Sequence, residues 1–493
     1  MHAWHHQVVY DRISLVRKQK LHCLIGERLE KIYGDLCSRI AAVLAMHFEL
    51  GRDIIKAIIY RRMAGEVALK RHAYQEVEAH LTKGLELLEL LPEKIQRTKH
   101  ELPLRIILGS SLSATRGYSA PEVEQSFRRA RMLTEKVQGT ASLLPILNGL
   151  WGYYFVRSQF DIANELHKEF VKVASQEDST ADFAYAQFMG CFSNFYQGHF
   201  KNAKTYAEKC ISLSKPDDVK RNIRLYGLDS WSGSLAHRGL ANWCLGYPVQ
   251  GLEDVQKSLK FAENIDSPAS HSAALAFTAW FHIWCKNVGS AIEITDRLID
   301  LTNKNTIGYW KFHGAIFKGY LNTITGQHEA GIDQIKREMN IFEKSGAQLV
   351  QTVFLTLLAE AHIKAGNIEE GLDLLRSARE EVEKSAAHWS KAEYYRLKGD
   401  LLCNASQNNQ RASQILVEAE DCYQRSLDVA HHQEAKLFEL RAAMSLSQLW
   451  DQQGKQQDAR TLLEGVYQWF TEGFDTRDLI DAKAILTRLS QGK

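Results

Sequence analysis

A small residue recurs along this chain at a spacing that packed helices explain. In LLAEAHIKAGNIEEGLDLLRSA, residues 357–378, Ala359 is followed twelve positions later by Gly371, then by bulky Leu375 and small Ala378. The last full copy reads Ser447, Ala459, Leu463, Val466. Working back, the triplet returns at Ala419/Tyr423/Ser426, Gly331/Ile335/Glu338, Ala291/Thr295/Leu298, Gly251/Val255/Ser258, Ala203/Ala207/Cys210 and Ala163/His167/Phe170. It fades at Val123/Phe127/Ala130, Val77/Leu81/Gly84 and Ala57/Arg61/Ala64. Positions three and four apart share one face of a helix, so each triplet is a stripe on the second helix of a pair. The small residue twelve earlier falls on the first helix, and both stay small because the partner helix occupies the space. Ala365-Gly366-Asn367 and Gln453-Gly454-Lys455 supply the turns. Ser119 and Glu122 have capping-box spacing, with Pro121 just inside the helix start. Only 7 prolines in 493 residues leave long helices unbroken.

The pattern resembles the tetratricopeptide repeat. About eleven degenerate pairs in register predict an all-α, tetratricopeptide-like right-handed superhelical solenoid of stacked antiparallel helix pairs over residues 40–493. An insertion is expected in the connecting loop at CNASQNNQRASQILVE, residues 403–418. The concave groove of such a stack is lined mainly by the first helices. Residues 151–320 hold 28 of the 48 aromatic side chains and six of the ten tryptophans, most of them expected in the core. Taking Gly152, Gly190, Ala241, Ala279 and Gly319 as the small positions of successive first helices, the repeat family implies groove positions three before, and one and four after, each of them. The candidates are Tyr153, Gln187, Asn194, Arg238, Asn242, Trp280 and Tyr320, a polar and aromatic set suited to a peptide or small ligand.

RHAYQEVEAHLTKGLELLELLP (71–92), ATRGYSAPEV (114–123), LGYPVQGLED (245–254) and GVYQWFTEGFDTRDLIDAKAIL (465–486) resemble the C-terminal repeat region of bacterial predicted ATPases. Proteins of that family often carry a class III adenylate/guanylate cyclase domain followed by a P-loop signalling ATPase module. HHQVVYDRISLVRKQKLHCLIGERLEKIYG, residues 5–34, is similar to the end of the winged-helix segment joining module to repeats, so residues 1–39 are expected to be its helical remnant. The sequence contains no GxxxxGK[ST], and no cyclase metal-binding aspartate maps onto it. The resemblance therefore implies a regulatory arm alone, from a truncated reading frame or a separately encoded piece. That implies a non-enzymatic protein mediating protein–protein interaction or ligand sensing, with a protein or peptide partner, such as a P-loop ATPase or nucleotide cyclase module, or a small-molecule ligand expected. The alternative is a small-ligand sensor arm of an ATPase-type transcription activator.

The remaining features point away from other classes. Net charge is +2, with no global field for nucleic acid or membrane, although residues 1–72 carry 13 Lys/Arg against 7 Asp/Glu. That basic start is read as a solvated face, and nucleic acid is the weaker reading. The eight cysteines contain no CxxC pair and are expected as free buried thiols. His431 and His432, being adjacent, point about 100° apart on a helix and do not chelate together. No GxSxG, HExxH, GxGxxG or EF-hand loop occurs, so no catalytic, metal or cofactor residue is assigned. With no apolar leader or long uncharged run, a cytoplasmic protein is expected.

Overall fold

Two helices cross closely only where neither carries a large side chain, and the computed structural model shows that contact repeated along the chain. It describes residues 10–91, 94–135, 143–305, 307–406 and 410–491. The chain is a tetratricopeptide-like solenoid of stacked antiparallel helix pairs, and no strand occurs among the described residues. Its contacts divide it into two compact units, Met1–Leu150 and Trp151–Lys493.

The first unit contains α1 (Leu15–Tyr33), a 3-10 turn (Gly34–Ile40), α2 (Ala41–Leu50), α3 (Ile54–Lys70), α4 (Tyr74–Leu88), α5 (Lys94–Arg116) and α6 (Pro121–Thr134). Glycines receive the bulky member of the facing stripe: Gly65 lies under Leu81, and Gly109 under Phe127. The weaker triplets thus serve the same contact, with Val77, Leu81, Val123, Phe127 and Ala130 all buried. Ser119 stands one residue before the N-cap: Ala120 is the N-cap of α6 and makes no side-chain cap bond, and Pro121 follows it at the helix start.

The second unit begins within α7 (Leu143–Val156) and continues through α8 (Phe160–Gln176), α9 (Thr180–Tyr196), α10 (Phe200–Leu213), α11 (Pro216–Tyr226), α12 (Ser230–Cys244), α13 (Pro248–Ala262), α14 (Pro268–Trp284) and α15 (Val288–Asn305). There follow α16 (Gly308–Ile324), α17 (His328–Lys344), α18 (Gln351–Ala365), α19 (Ile368–Lys384), α20 (Lys391–Ser406), α21 (Ala412–His432), α22 (Lys436–Gln452), α23 (Gln456–Tyr467) and α24 (Arg477–Gln491). Three crossings display the spacing of twelve directly. A Cβ on Gly331 would come within 2.4 Å of the Gly319 carbonyl oxygen, and one on Gly251 within 2.7 Å of the Gly239 carbonyl oxygen. Ser447 Oγ donates to the Ala459 carbonyl at 2.9 Å. Left-handed turn residues close successive pairs about every 40 residues, at Gly246, Lys286, Gly326 and Gly366. The insertion expected over residues 403–418 is largely helix: α20 runs to Ser406 and α21 starts at Ala412, while residues 407–409 lie outside the described residues.

First helices pack side by side, α9 on α12, then α14, α16, α18, α20, α22 and α24 in turn. The stack of this unit also closes on itself. The C-terminal ends of α7, α9, α12 and α14 meet the N-terminal ends of α18, α20, α22 and α24, each the first helix five pairs on. The Val156 carbonyl accepts from Gln348 N at 2.9 Å and Leu349 N at 3.0 Å, and the Tyr196 carbonyl from Trp389 N at 3.4 Å. Lys201 is ion-paired with Glu434. The Glu472 carboxylate accepts from Val249 N (2.9 Å) and Gln250 N (3.2 Å) at the start of α13, where the helix dipole favours an anion. Aromatic rings fill the interior at this seam. Trp389, fully buried, lies 5.4 Å from Phe195, 5.1 Å from Tyr196 and 4.7 Å from Trp280. His237 lies against Phe192 at 3.6 Å and donates from Nδ1 to the Gly233 carbonyl at 3.1 Å. Burial lowers His237 to about 3 and His313 to about 4.

Two predictions follow from this packing. Gly331→Ala is expected to destabilise the protein by about 1–3 kcal/mol because the facing atom is backbone. Gly465→Ala on α23, where nothing lies within 4 Å, is expected to cost nothing. Urea denaturation of the two variants compares them. Separately, the unfolded chain protonates its histidines near pH 6.5, while the folded chain keeps His237 and His313 neutral until about 3 and 4. Stability is therefore lost as pH falls below 6.5, by up to about 1.4 kcal/mol per pH unit for each ring. A His237→Phe variant should show a shallower pH slope.

Candidate functional site

Toward the C-terminal end of the second unit the aromatic filling stops and a cavity of about 740 Å³ opens. Its wall is built mainly from six consecutive first helices, α14, α16, α18, α20, α22 and α24, with Val288 and Ala291 of α15 and Leu416 and Tyr423 of α21. The repeat geometry accounts for this, since first helices face inward and their side chains converge on one space. Apolar surface comes from Leu357, Leu397 and Met444, and the polar groups concentrate in two linked ionic clusters.

The first cluster centres on Arg441 of α22, which is 8% exposed. Its Nε and Nη2 donate to Asp478 Oδ2 at 3.0 and 2.8 Å, and Nη2 also donates to the Trp284 carbonyl. Nη1 stands 3.6 Å from Glu393 Oε1, and the guanidinium lies 4.9 Å from the Trp243 ring centroid. Lys286 Nζ donates to Asp478 Oδ1 at 2.8 Å. Lys286 occupies the turn position held by Gly246, Gly326 and Gly366 elsewhere, and adopts φ 56° to do so. That conformation costs a non-glycine residue about 1 kcal/mol, which the ion pair across the seam offsets. Burial opposes the charge on Asp478, but Arg441 and Lys286 outweigh it and hold the carboxyl at about 2.

In the second cluster, Arg396 of α20 grips Glu393 through Nε and Nη2 at 2.9 and 2.6 Å and reaches Asp400 through Nη1 at 2.5 Å. Tyr423 OH donates to Asp400 Oδ1 at 2.8 Å. Burial works against the charge on Glu393, yet Arg396, Arg441 and Lys286 keep its carboxyl below the usual range. Tyr320 and Glu360 complete this side, and burial together with the Glu360 carboxylate pushes the Tyr320 hydroxyl well up. The clusters share Glu393 and Arg441, so the wall of the cavity and the closure of the stack are held by the same groups.

Of the seven positions expected to face the groove, Tyr320 lines this cavity. Trp280 is buried beside it, 5.8 Å from the lining residue Trp284, and its Nε1 has no acceptor among the described residues. Arg238 and Asn242 are brought together on Asp254 of the neighbouring α13, by bonds of 2.8 and 2.6 Å from the guanidinium and 3.1 Å from the amide. Tyr153 is buried with the Arg157 guanidinium over its ring, Gln187 is buried on α9, and Asn194 is bonded to its own helix at the Gly190 carbonyl. At the α12–α13 crossing the residues in contact are Gly239 and Gly251, two positions before Ala241.

Sequence reasoning did not single out Glu360, Arg396, Asp400 and Gln448, all of which line the cavity. The same offsets of three before and one after, applied to Ala359, Gly399 and Ser447, would have named each of them. Arg441 and Asp478 had no local signal, being 37 residues apart and joined only when the stack closes.

No family model matches the chain, and no curated protein matches it. Among solved structures, a Rap protein complexed with competence and sporulation factor aligns with a TM-score of 0.48 at 13% identity, covering 76% of this chain and 98% of that one. Yeast Tom70 aligns at 0.40 and 13% identity, covering 96% of each chain. A human IFIT1 dimer with m7Gppp-AAAA aligns at 0.42 and 14% identity, covering 97% of this chain and 96% of that one.

Asp478→Asn leaves Arg441 and Lys286 without their shared carboxylate, and is expected to cost about 3–5 kcal/mol at pH 7 in denaturant unfolding. The wild-type carboxyl is depressed from 3.8 to about 2, so its stabilising effect is present above pH 4 and lost as pH falls from there toward 2. The variant should lack that acid step.

Proposed function

We propose that this chain is a non-enzymatic recognition arm whose C-terminal cavity takes a short segment of a protein partner and converts its binding into a change in closure of the helical stack. The carrying observation is that Arg441 and Glu393 belong both to the cavity wall and to the ionic clusters at the seam. A ligand that competes for either group draws on the contacts holding α14 against α22 and α24, and so acts on the pitch of the stack. Carboxylates at Glu360 and Asp400 and guanidinium groups at Arg396 and Arg441 face one space, which suits a peptide carrying both signs of charge. Tyr320 supplies ring surface at the wall, and Trp280 backs it.

In this reading the chain is the regulatory arm of a signalling P-loop ATPase or nucleotide cyclase in the cytoplasm. The support is the likeness of its segments at 71–92, 114–123, 245–254 and 465–486 to the repeat region of those proteins. No described helix is long and apolar enough to cross a membrane. A second reading, a small-ligand sensor arm of an ATPase-type transcription activator, is favoured by size, because 740 Å³ falls within the range of small-molecule sites.

Trp284 lines the cavity, so intrinsic fluorescence reports occupancy. Titration with a library of short charged peptides, and in parallel with metabolites, is expected to yield a ligand that shifts emission and raises the melting temperature. Glu360→Gln should weaken that ligand about tenfold, the loss of one charge-assisted bond, with little change in the free protein's melting. Binding untouched by both Glu360→Gln and Gln448→Ala, or a protein indifferent to every peptide and metabolite, would contradict the proposal.

A further inference from the structure

The first helix has a second apolar face that nothing described covers. Its inner side is committed. A Cβ on Gly26 would stand 2.8 Å from the Phe48 ring, Cys23 Sγ donates to the Gly51 carbonyl at 3.1 Å, and Glu30 accepts from Lys56 Nζ and Tyr60 OH at 2.7 Å each. These residues, at 23, 26 and 30, form one helical stripe and fix α1 onto α2 and α3. On the opposite side Arg17, Leu21, Leu24, Arg28 and Ile32 follow one another at spacings of three and four. Leu24 is 53% and Ile32 66% exposed, and Leu21 and Ile25 are exposed with them. The adjoining α2 repeats the arrangement: Leu44, Ala45 and Phe48 are buried while Val43, Met46 and Leu50 are exposed. A helix with apolar stripes on both sides is built to lie between two layers.

Charge decides what fits there. Arg17 and Arg28 rise from within the apolar stripe, Lys20 and Lys31 are exposed on the same helix, and none of the four forms an ion pair with a described residue. A second copy of this face would set guanidinium against guanidinium. A bilayer would have to receive two arginines in the middle of the apolar face, whereas helices that lie in membranes keep their charges to the polar side. A helix with leucines on one face and carboxylates among them satisfies both the apolar and the cationic positions. We infer that the outward stripe of α1 is a docking site for an amphipathic helix bearing acidic residues on its apolar face, laid along the 19 residues of α1, a length of about 28 Å. The site is independent of the cavity.

The test uses the full chain and two fluorescein-labelled synthetic helices, both with leucines along one face, one carrying glutamates among those leucines and the other lysines at the same positions. Anisotropy titration at low salt is expected to show the glutamate helix binding at least tenfold more tightly than the lysine helix. Leu24→Ser with Ile32→Ser should weaken it at least tenfold, and Arg17→Glu with Arg28→Glu should invert the preference. All four side chains are exposed, and a melting curve for each variant checks that it remains folded. Equal binding of the two helices, or binding of neither, would overturn the inference. So would a concentration-dependent dimer abolished by Leu24→Ser, which assigns the face to a second copy. Co-sedimentation with phosphatidylserine vesicles in the absence of preference for the glutamate helix would overturn it in favour of a membrane.

Discussion

Close approach of paired helices at small residues is the constraint on which everything else in this molecule rests. Where Gly319 faces Gly331 and Gly239 faces Gly251, a carbonyl oxygen of one helix occupies the volume in which the other would have placed a methyl group. That contact sets the separation and angle of each pair, and repeating it about every 40 residues sets the path of the whole second unit. A larger residue at such a crossing would alter more than local packing, because each pair passes its position on to the next along the stack.

From that repetition comes a closure which no single pair specifies. Five pairs on, the stack meets itself, and the ends of first helices exchange backbone hydrogen bonds, rings and ion pairs across the seam. The interior consequently divides in two. Where Phe192, His237, Trp280 and Trp389 meet, it is filled with rings, and burial holds its histidines neutral. Beyond them the same inward faces carry charge, the filling stops, and the cavity opens. Buried ion pairs such as Arg441–Asp478 add little net stability against apolar replacements of the same shape. Here they join α14, α22 and α24 across the seam, with Lys286 in the left-handed turn conformation that glycine takes at Gly246, Gly326 and Gly366.

Much of this was legible in the sequence, and the limits of legibility have physical causes. Fold class was readable because helical periodicity and the spacing of twelve are local properties, and Ser447 bonded to Ala459 realises one such spacing directly. The register of individual first helices was less secure. Between α12 and α13 two small residues, Gly239 and Ala241, compete for the crossing, and only the three-dimensional contact selects Gly239. The candidate positions were drawn from the aromatic-rich stretch 151–320, whose rings pack against one another across the seam, whereas the charged wall of the cavity comes mostly from the later first helices α18, α20, α22 and α24. Glu360, Arg396 and Asp400 could have been read by the same offsets. Arg441 and Asp478 could not, because their partnership exists only once distant turns are in contact.

The most direct test of the closed stack is zero-length carbodiimide coupling of the unmodified protein, read by mass spectrometry. Lys201 and Glu434, 233 residues apart and both exposed, are ion-paired across the seam. The account predicts an intramolecular amide between them, formed as readily as the local one between Lys257 and Glu253. Recovery of the local link without the long-range one would show that the turns do not meet and that the cavity is an open groove.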